Sequence, residues 1–261
     1  MTSESSARSG NLYNDIATGD RLRSLVAKGD IPPGVVCTDS IVDIDPEDLR
    51  DYNQVHLFAG VGGWSQALKL AGVDAAVKLW SMSLPCQPFS WMGDRKGFAD
   101  ERHLWPAALR LIEVCRPPII FGEQVAAAAQ WGWLDDVFDD LERIGYACAA
   151  ADLPACCVGA PYIRQRLWWF AHADGVGYAE PPLPRSAEDQ GGDGEAETYF
   201  AGSLHGLPCP KLWSEGVHQS PVPIALDGVP GDLERITKGL GNAIVPQLAA
   251  LFIQESLACL S

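Results

Sequence analysis

Apolar positions along this chain fall into short runs cut by glycine, proline and acid, and the runs alternate between helical and extended spacing. Residues 13–29 carry helix-like spacing and end in the breaker GDIPPG. An extended piece, VVCTDSIVDI, follows, and then QVHLF at 54–58, an apolar strand running straight into AGVGG. WSQALKLAG at 64–72 predicts a helix stopped by Gly72, and AAVKLWSMSL at 75–84 predicts a strand. Beyond a polar, glycine-bearing stretch at 87–103, a helix is expected over 104–115 and a strand over 117–125. An amphipathic helix should span 131–145, with strands at 146–153 and 166–173. Residues 174–235, rich in Gly, Pro and acid, break this rhythm, and GLGNAIVPQLAALFIQESLACL restores it as a loop feeding a closing helix. Strands alternating with helices indicate an α/β fold, doubly wound on a mostly parallel sheet.

Composition narrows the class. With 261 residues, 47% hydrophobic and nine Trp, the chain can bury a full core, which excludes a disordered or fibrous protein. No apolar run approaches the roughly 20 residues of a membrane span, and the polar start MTSESSARSG lacks the apolar stretch of a signal peptide. Residues 1–10 read as a disordered tail. The eight cysteines form no CxxC pair and sit mostly in apolar runs, so they are expected as reduced, buried thiols of a cytoplasmic protein holding no metal. The net charge of −15 opposes binding to a polyanion. The acids are uneven, however: residues 171–234 hold 11 Asp and Glu against Arg185 and Lys211, and the rest is nearer balance.

Four features carry candidate chemistry. FAGVGG at 58–63 lies between a strand and a helix, where glycines let a ligand approach the backbone and the helix offers amide donors. Its spacing departs from the GxGxxG dinucleotide pattern, and it lacks the GK[ST] ending of a phosphate loop. Cys86, in SLPCQPFS, stands at a strand's carboxyl end, where ligands of α/β proteins bind. Glu123, in FGEQV, ends another strand and points to the same crevice. Arg164 and Arg166 alternate at strand period, which places both on one face. Each also has an ordinary structural reading, respectively a tight turn, a buried thiol, a helix cap and a solvated edge.

Together these motifs resemble one family, the DNA (cytosine-5)-methyltransferases, and among them the short enzymes of bacteriophages and prophages. FAGVGG resembles the cofactor motif, SLPCQPFS the nucleophile motif and KGFADERHLW the segment after it. FGEQV, IRQRLWWF and LGNAIVP resemble the Glu-Asn-Val, paired-arginine and C-terminal Gly-Asn motifs. The resemblance implies a fold of the S-adenosylmethionine-dependent type and methyl transfer to C5 of cytosine. Cys86 would be the nucleophile, with Glu123, Arg164 and Arg166 as its catalytic partners. Phe58, Ala59, Gly60, Val61, Gly62, Gly63, Pro85, Leu104 and Asn242 would face S-adenosylmethionine. A base inside a duplex is out of reach, so the cytosine must be flipped out. Gln87, Ser90, Arg95, Lys96 and Arg102 would then meet the DNA from a lid over 87–103. The implied protein is a cytoplasmic monomer acting on double-stranded DNA without metal or membrane, of the kind found in restriction-modification. The same chemistry on RNA, or a catalytically silent DNA-binding member of the fold, stand as alternatives.

The chain departs from the family pattern in three places. Gln124 stands where the family has Asn, a change expected to shift one hydrogen bond and spare activity. The interval between Gly63 and Pro85 has room for only one helix and one strand, whereas the usual arrangement places two further strands there. YNDIATGDRLR and TDSIVDI resemble the missing second and third motifs, so a permuted chain is expected, with 11–53 supplying them ahead of the glycine loop. Asp15 would bind ribose, with Asp20 and Asp39 as alternatives, and Ser40 with Ile41 would contact adenine. A single right-handed crossover is expected to join the glycine-loop strand to the nucleophile strand. Residues 1–173 would form the catalytic domain, 174–238 a small recognition region offering Lys211, Trp213 and His218, and 239–261 a return to the catalytic domain.

Overall fold

The computed structural model describes residues 10–85, 104–130, 132–160, 163–173 and 243–260. The sequence readings for the lid at 87–103 and for the recognition region lie outside them.

Seven strands form one sheet in the order β2-β1-β3-β4-β5-β7-β6. They are β1 (Asn11–Asn14), β2 (Gly34–Cys37), β3 (Gln54–Leu57), β4 (Leu79–Met82), β5 (Ile119–Val125), β6 (Tyr146–Pro154) and β7 (Gln165–Ala173). The first five are mutually parallel, and β7 runs antiparallel to both β5 and β6. The helices are α1 (Gly19–Lys28), α2 (Gly63–Leu70), α3 (Trp105–Cys115), the short α4 (Ala127–Gln130), α5 (Trp133–Arg143) and α6 (Pro246–Ala258).

Alternation along the strands splits the core into two layers. Leu12, Val55, Leu57, Trp80, Met82, Ile120 and Trp169 face one side and pack with α3 and α5 through Trp105, Leu111, Val137 and Leu141. Their neighbours Leu79, Phe121, Trp168 and Phe170 face the other side, under Trp64 and Leu68 of α2 and Leu248 and Phe252 of α6. On that second side a polar row crosses the sheet, since Tyr13 pairs with His56 and His56 with Ser81 in adjacent strands. Ser65 of α2 covers the row. Leu22 of α1 packs on Tyr13, so α1 shares this side with α2.

Residues 13–29 differ from expectation. Residues 11–14 are a strand and the helix begins only at Gly19. Four residues, two of them Asn, are too few to display an extended period. All four are buried between parallel neighbours on both sides, and this burial fixes them as strand. The cysteines differ too: among the described residues Cys37, Cys115 and Cys148 are half-buried, and Cys156, Cys157 and Cys259 are exposed.

The expected right-handed crossover is the third difference. β3 to β4 and β4 to β5 both step the same way across the sheet, yet α2 lies on one side and α3 on the other. The two connections therefore have opposite hands. β1 to β2 steps the other way with α1 on the α2 side, and β2 to β3 steps forward past Ile41, Ile44 and Leu49 on the α3 side. Both share the hand of β4 to β5. With the right-handed rule holding for these three, β3-α2-β4 is the left-handed one.

Candidate active site

Carboxyl ends of parallel strands are where an open α/β sheet binds ligands. Here β1, β3, β4 and β5 deliver Asp15, the 58–63 loop, Ser83 to Pro85, and Glu123 to one edge of the sheet.

The loop leaves β3 through Phe58, a non-glycine residue at φ 54°, a conformation that costs about 1–3 kcal/mol unless its surroundings impose it. Gly60 follows at φ 57°, and among the described residues a Cβ there would meet nothing within 4 Å, so the space over it is open. Gly63 serves close packing instead: its Cβ would lie 2.7 Å from Ile244 of the C-terminal segment. Ala59 is buried. The N-terminal segment grips this loop. Ala59 N–H donates to Asn14 O at 2.9 Å and Gly60 N–H to Asp15 Oδ2 at 2.9 Å. Thr18 Oγ1 donates to Gly60 O at 2.5 Å.

The other proposed cofactor residues are placed unequally. Asp15 Oδ1 already accepts from Ala17 and Thr18 N–H at 2.9 and 2.8 Å. Of about four acceptor sites on its carboxylate, one on Oδ2 remains. Asp20 is spent on an exposed pair with Arg23 at 2.9 Å, and the exposed Asp39 accepts a weak thiol bond from Cys37. Ser40 is half-buried at the end of the loop after β2. Ile41 is 1% exposed in the core beside α3, and its carbonyl is taken by Arg110, so the structure does not present it to a ligand as expected. Arg110 of α3 holds this turn by donating from Nη2 to Ile41, Val42 and Ile44 carbonyls at 3.2, 3.2 and 2.9 Å. Pro85 and Leu104 are half-buried at either end of the interval containing Cys86. Cys86, Gln87, Ser90, Arg95, Lys96, Arg102 and Asn242 lie outside the described residues.

Glu123 is 7% exposed and pairs with Arg166, Nε to Oε1 at 2.9 Å. Arg166 stands opposite Val125, so the pair is a diagonal contact on one face of the β5-β7 ladder. Burial pushes the Glu123 carboxyl up from its ordinary value, while the charges of Arg166 and Arg164 and hydrogen bonds from Arg166 and Ser83 pull it back. Arg164 precedes β7 at φ 36°, so strand alternation does not hold the two arginines on one face. Arg164 instead donates from Nη2 to Ala243 O at 2.7 Å, tying the site to the C-terminal segment. Gln124 donates from Nε2 to Leu84 O at 3.4 Å and accepts from Val125 N–H, which braces the backbone two residues before Cys86.

Sequence reasoning missed Thr18 and Ser83. Thr18 had a signal, since Asp15-x-x-Thr18 just before a helix is the pattern of an Asp side chain closing a turn. Ser83 accepts from the Trp64 indole at 3.0 Å and hydrogen-bonds Glu123, linking α2 to the acid. That link depends on strand register, which the sequence does not display.

Residues 74–190 match the family model for C-5 cytosine-specific DNA methylase. The chain is 29% identical over 156 residues to the Type II methyltransferase M.AgeI of Thalassovita gelatinovora, covering 59% of this chain and 32% of that protein. It is 23% identical over 187 residues to the Type II methyltransferase M.HhaI of Haemophilus parahaemolyticus, covering 57% of each. A solved structure of the S. pombe Dnmt2 methyltransferase overlaps 71% of this chain and 56% of its own, at 15% identity and a TM-score of 0.41. The chain spans from about a third to just over half the length of these two curated relatives. The family model matched over 74–190 describes the same family that the chain's motifs resemble.

Proposed function

We propose that this protein transfers a methyl group from S-adenosylmethionine to C5 of cytosine in DNA. The observation that carries the proposal is the buried Glu123–Arg166 pair at the sheet edge shared with the glycine loop, beside the braced backbone leading to Cys86. The open space over Gly60 and the remaining acceptor site of Asp15 suit a nucleoside with ribose hydroxyls. When bound, S-adenosylmethionine supplies an electrophilic methyl group. Phe58 to Gly63, Asp15 and Ser40 would hold it, with Ile41, Pro85, Leu104 and Asn242 nearby.

Cytosine C5 is a poor nucleophile, and the residues answer that difficulty. The Cys86 thiolate adds to C6 of a flipped base, which moves electron density onto C5. Glu123, whose carboxyl burial pushes up from its ordinary value, takes up a proton, donates it to N3 and offsets the charge that arrives on the ring. Arg166 holds Glu123 in place, and Arg164 and Arg166 bind the base carbonyl. C5 takes the methyl group and S-adenosylhomocysteine is released; the C5 proton then passes to water, its bonding pair forms the C5=C6 bond, and the C6–S pair leaves with sulfur to restore the Cys86 thiolate. Gln87, Ser90, Arg95, Lys96 and Arg102 would contact the DNA.

The left-handed β3-α2-β4 connection supports the permuted reading of the N-terminal 11–53. The test is label transfer from methyl-labelled S-adenosylmethionine to duplex DNA or tRNA, followed by digestion to nucleosides. Label in 5-methyldeoxycytidine is expected, lost in Cys86→Ala while cofactor binding persists. Label confined to RNA, or a fully active Cys86→Ala, would overturn the reading.

A further inference from the structure

Gly60 is held on both of its backbone polar groups, which belong to the two peptides that flank its Cα, by one short turn. Asp15 Oδ2 takes its N–H at 2.9 Å and Thr18 Oγ1 donates to its C=O at 2.5 Å. Asp15 is fixed in turn by the Ala17 and Thr18 amides, so turn and glycine loop form one hydrogen-bonded unit. Gly60 needs such support. It sits at φ 57°, nothing among the described residues packs above it, and glycine has more backbone freedom to lose than any other residue. Left alone, these two peptides would sample several orientations of the amide and carbonyl that border the open space.

We infer that Thr18 and Asp15 are positioning residues of the glycine loop, fixing the peptides on either side of Gly60 in the orientation that receives the cofactor. The inference rests on the reading of this loop as the seat of S-adenosylmethionine. Thr18 is the informative member, because Asp15 is also a ribose candidate. The Thr18 side chain makes no capping bond to α1, so removing it spares the helix. The loop's affinity is then set partly by a segment more than 40 residues upstream, as the 42-residue separation of Thr18 and Gly60 states.

The test uses the full chain, with S-adenosylhomocysteine as probe. Thr18→Val and Thr18→Ala should weaken its calorimetric affinity roughly three- to tenfold, the scale of one lost hydrogen bond. KM for S-adenosylmethionine should rise with them while kcat at saturation holds, and Thr18→Ser should bind like wild type. Without any ligand, the Gly60 amide should exchange its hydrogen faster in Thr18→Val than in wild type. Unchanged affinity in both variants overturns the inference, whether or not exchange accelerates. Equal loss in Thr18→Ser also overturns it, because the hydroxyl would then not be the cause. A wild type that binds no S-adenosylhomocysteine fails the cofactor reading instead, and the ligand-free exchange still reports whether the clamp exists.

Discussion

His56 should make this protein lose stability as pH falls below about 6.5, well before most carboxylates titrate. The ring is 1% exposed, and burial pushes its pKa down to about 3. Its partners explain why it stays neutral. The Tyr13 hydroxyl donates to Pro32 O at 2.9 Å, so Ser65 Oγ must donate to Tyr13 and accept from His56 Nε2 at 3.1 Å. His56 Nδ1 is then the acceptor from Ser81 Oγ at 2.7 Å. A second proton on Nδ1 would face the Ser81 hydroxyl proton and bury a charge with no carboxylate among these partners. The sign follows: the unfolded chain binds this proton near pH 6.5 and the folded one only near 3, so acid favours unfolding between those values. The contribution is fully present above about 6.5, falls by about 2 kcal/mol at pH 5, and would approach about 5 kcal/mol near pH 3. The assay is urea unfolding at several pH values between 7.5 and 5, for wild type and His56→Asn, whose difference cancels the other titrating groups. The wild-type curve should fall more steeply by about 2 kcal/mol over that range. Parallel curves would refute the reasoning. If His56→Asn does not fold, the ring's NMR shifts in wild type should stay those of neutral imidazole at pH 5, and a protonated ring there would refute it equally.

Gly60→Ala should cost only about 1–2 kcal/mol in thermal melts, the left-handed penalty alone, yet abolish S-adenosylhomocysteine binding measured by calorimetry, because the methyl group enters the open space. Arg166→Met strands the Glu123 charge and should destabilise the protein by about 3–5 kcal/mol at neutral pH in urea unfolding. Burial holds the Glu123 carboxyl above its ordinary value, so its protonated form is the easier one to bury and part of that loss should return as pH falls. Ser83→Ala removes a hydrogen bond that favours the Glu123 carboxylate, so the alkaline fall of kcat should move to higher pH in a pH-rate profile.

The fold was legible where one period persisted. The amphipathic stretch 131–145 and the apolar strand 117–125 appear as Trp133–Arg143 and Ile119–Val125. It was illegible where an element is four residues long and owes its state to neighbours, as at Asn11–Asn14. The site divides similarly. Glu123 and Arg166 were readable because their positions on strands fix their direction. Arg164 lies just before β7 at φ 36°, so strand alternation does not govern its direction, although its charge reaches Glu123. Ser83 and Thr18 act through partners 19 and 42 residues away, at separations no local pattern encodes.

The hand of one connection bears on the proposed permutation of residues 11–53. α2 lies on the side of the sheet where a right-handed step from β3 would lead to β1, not to β4. A chain running β3-α2-β1-α1-β2 would make both of its steps right-handed, with every helix and strand where it now lies. Moving β1 and β2 ahead of β3 leaves the sheet order, both core layers and the Asp15–Gly60 contact untouched, and only α2 must now feed the strand on the other flank. Packing decides where α2 rests: Trp64 and Leu68 are 2% exposed against Leu79 and α6, and Ser65 closes the polar row over Tyr13 and His56. Turning α2 to the other side would restore the common hand but expose that apolar surface and strip the His56 row of its cover. The burial outweighs a preference of connection, and a left-handed crossover in a parallel sheet is therefore the mark that a permuted order of the same packed elements would leave.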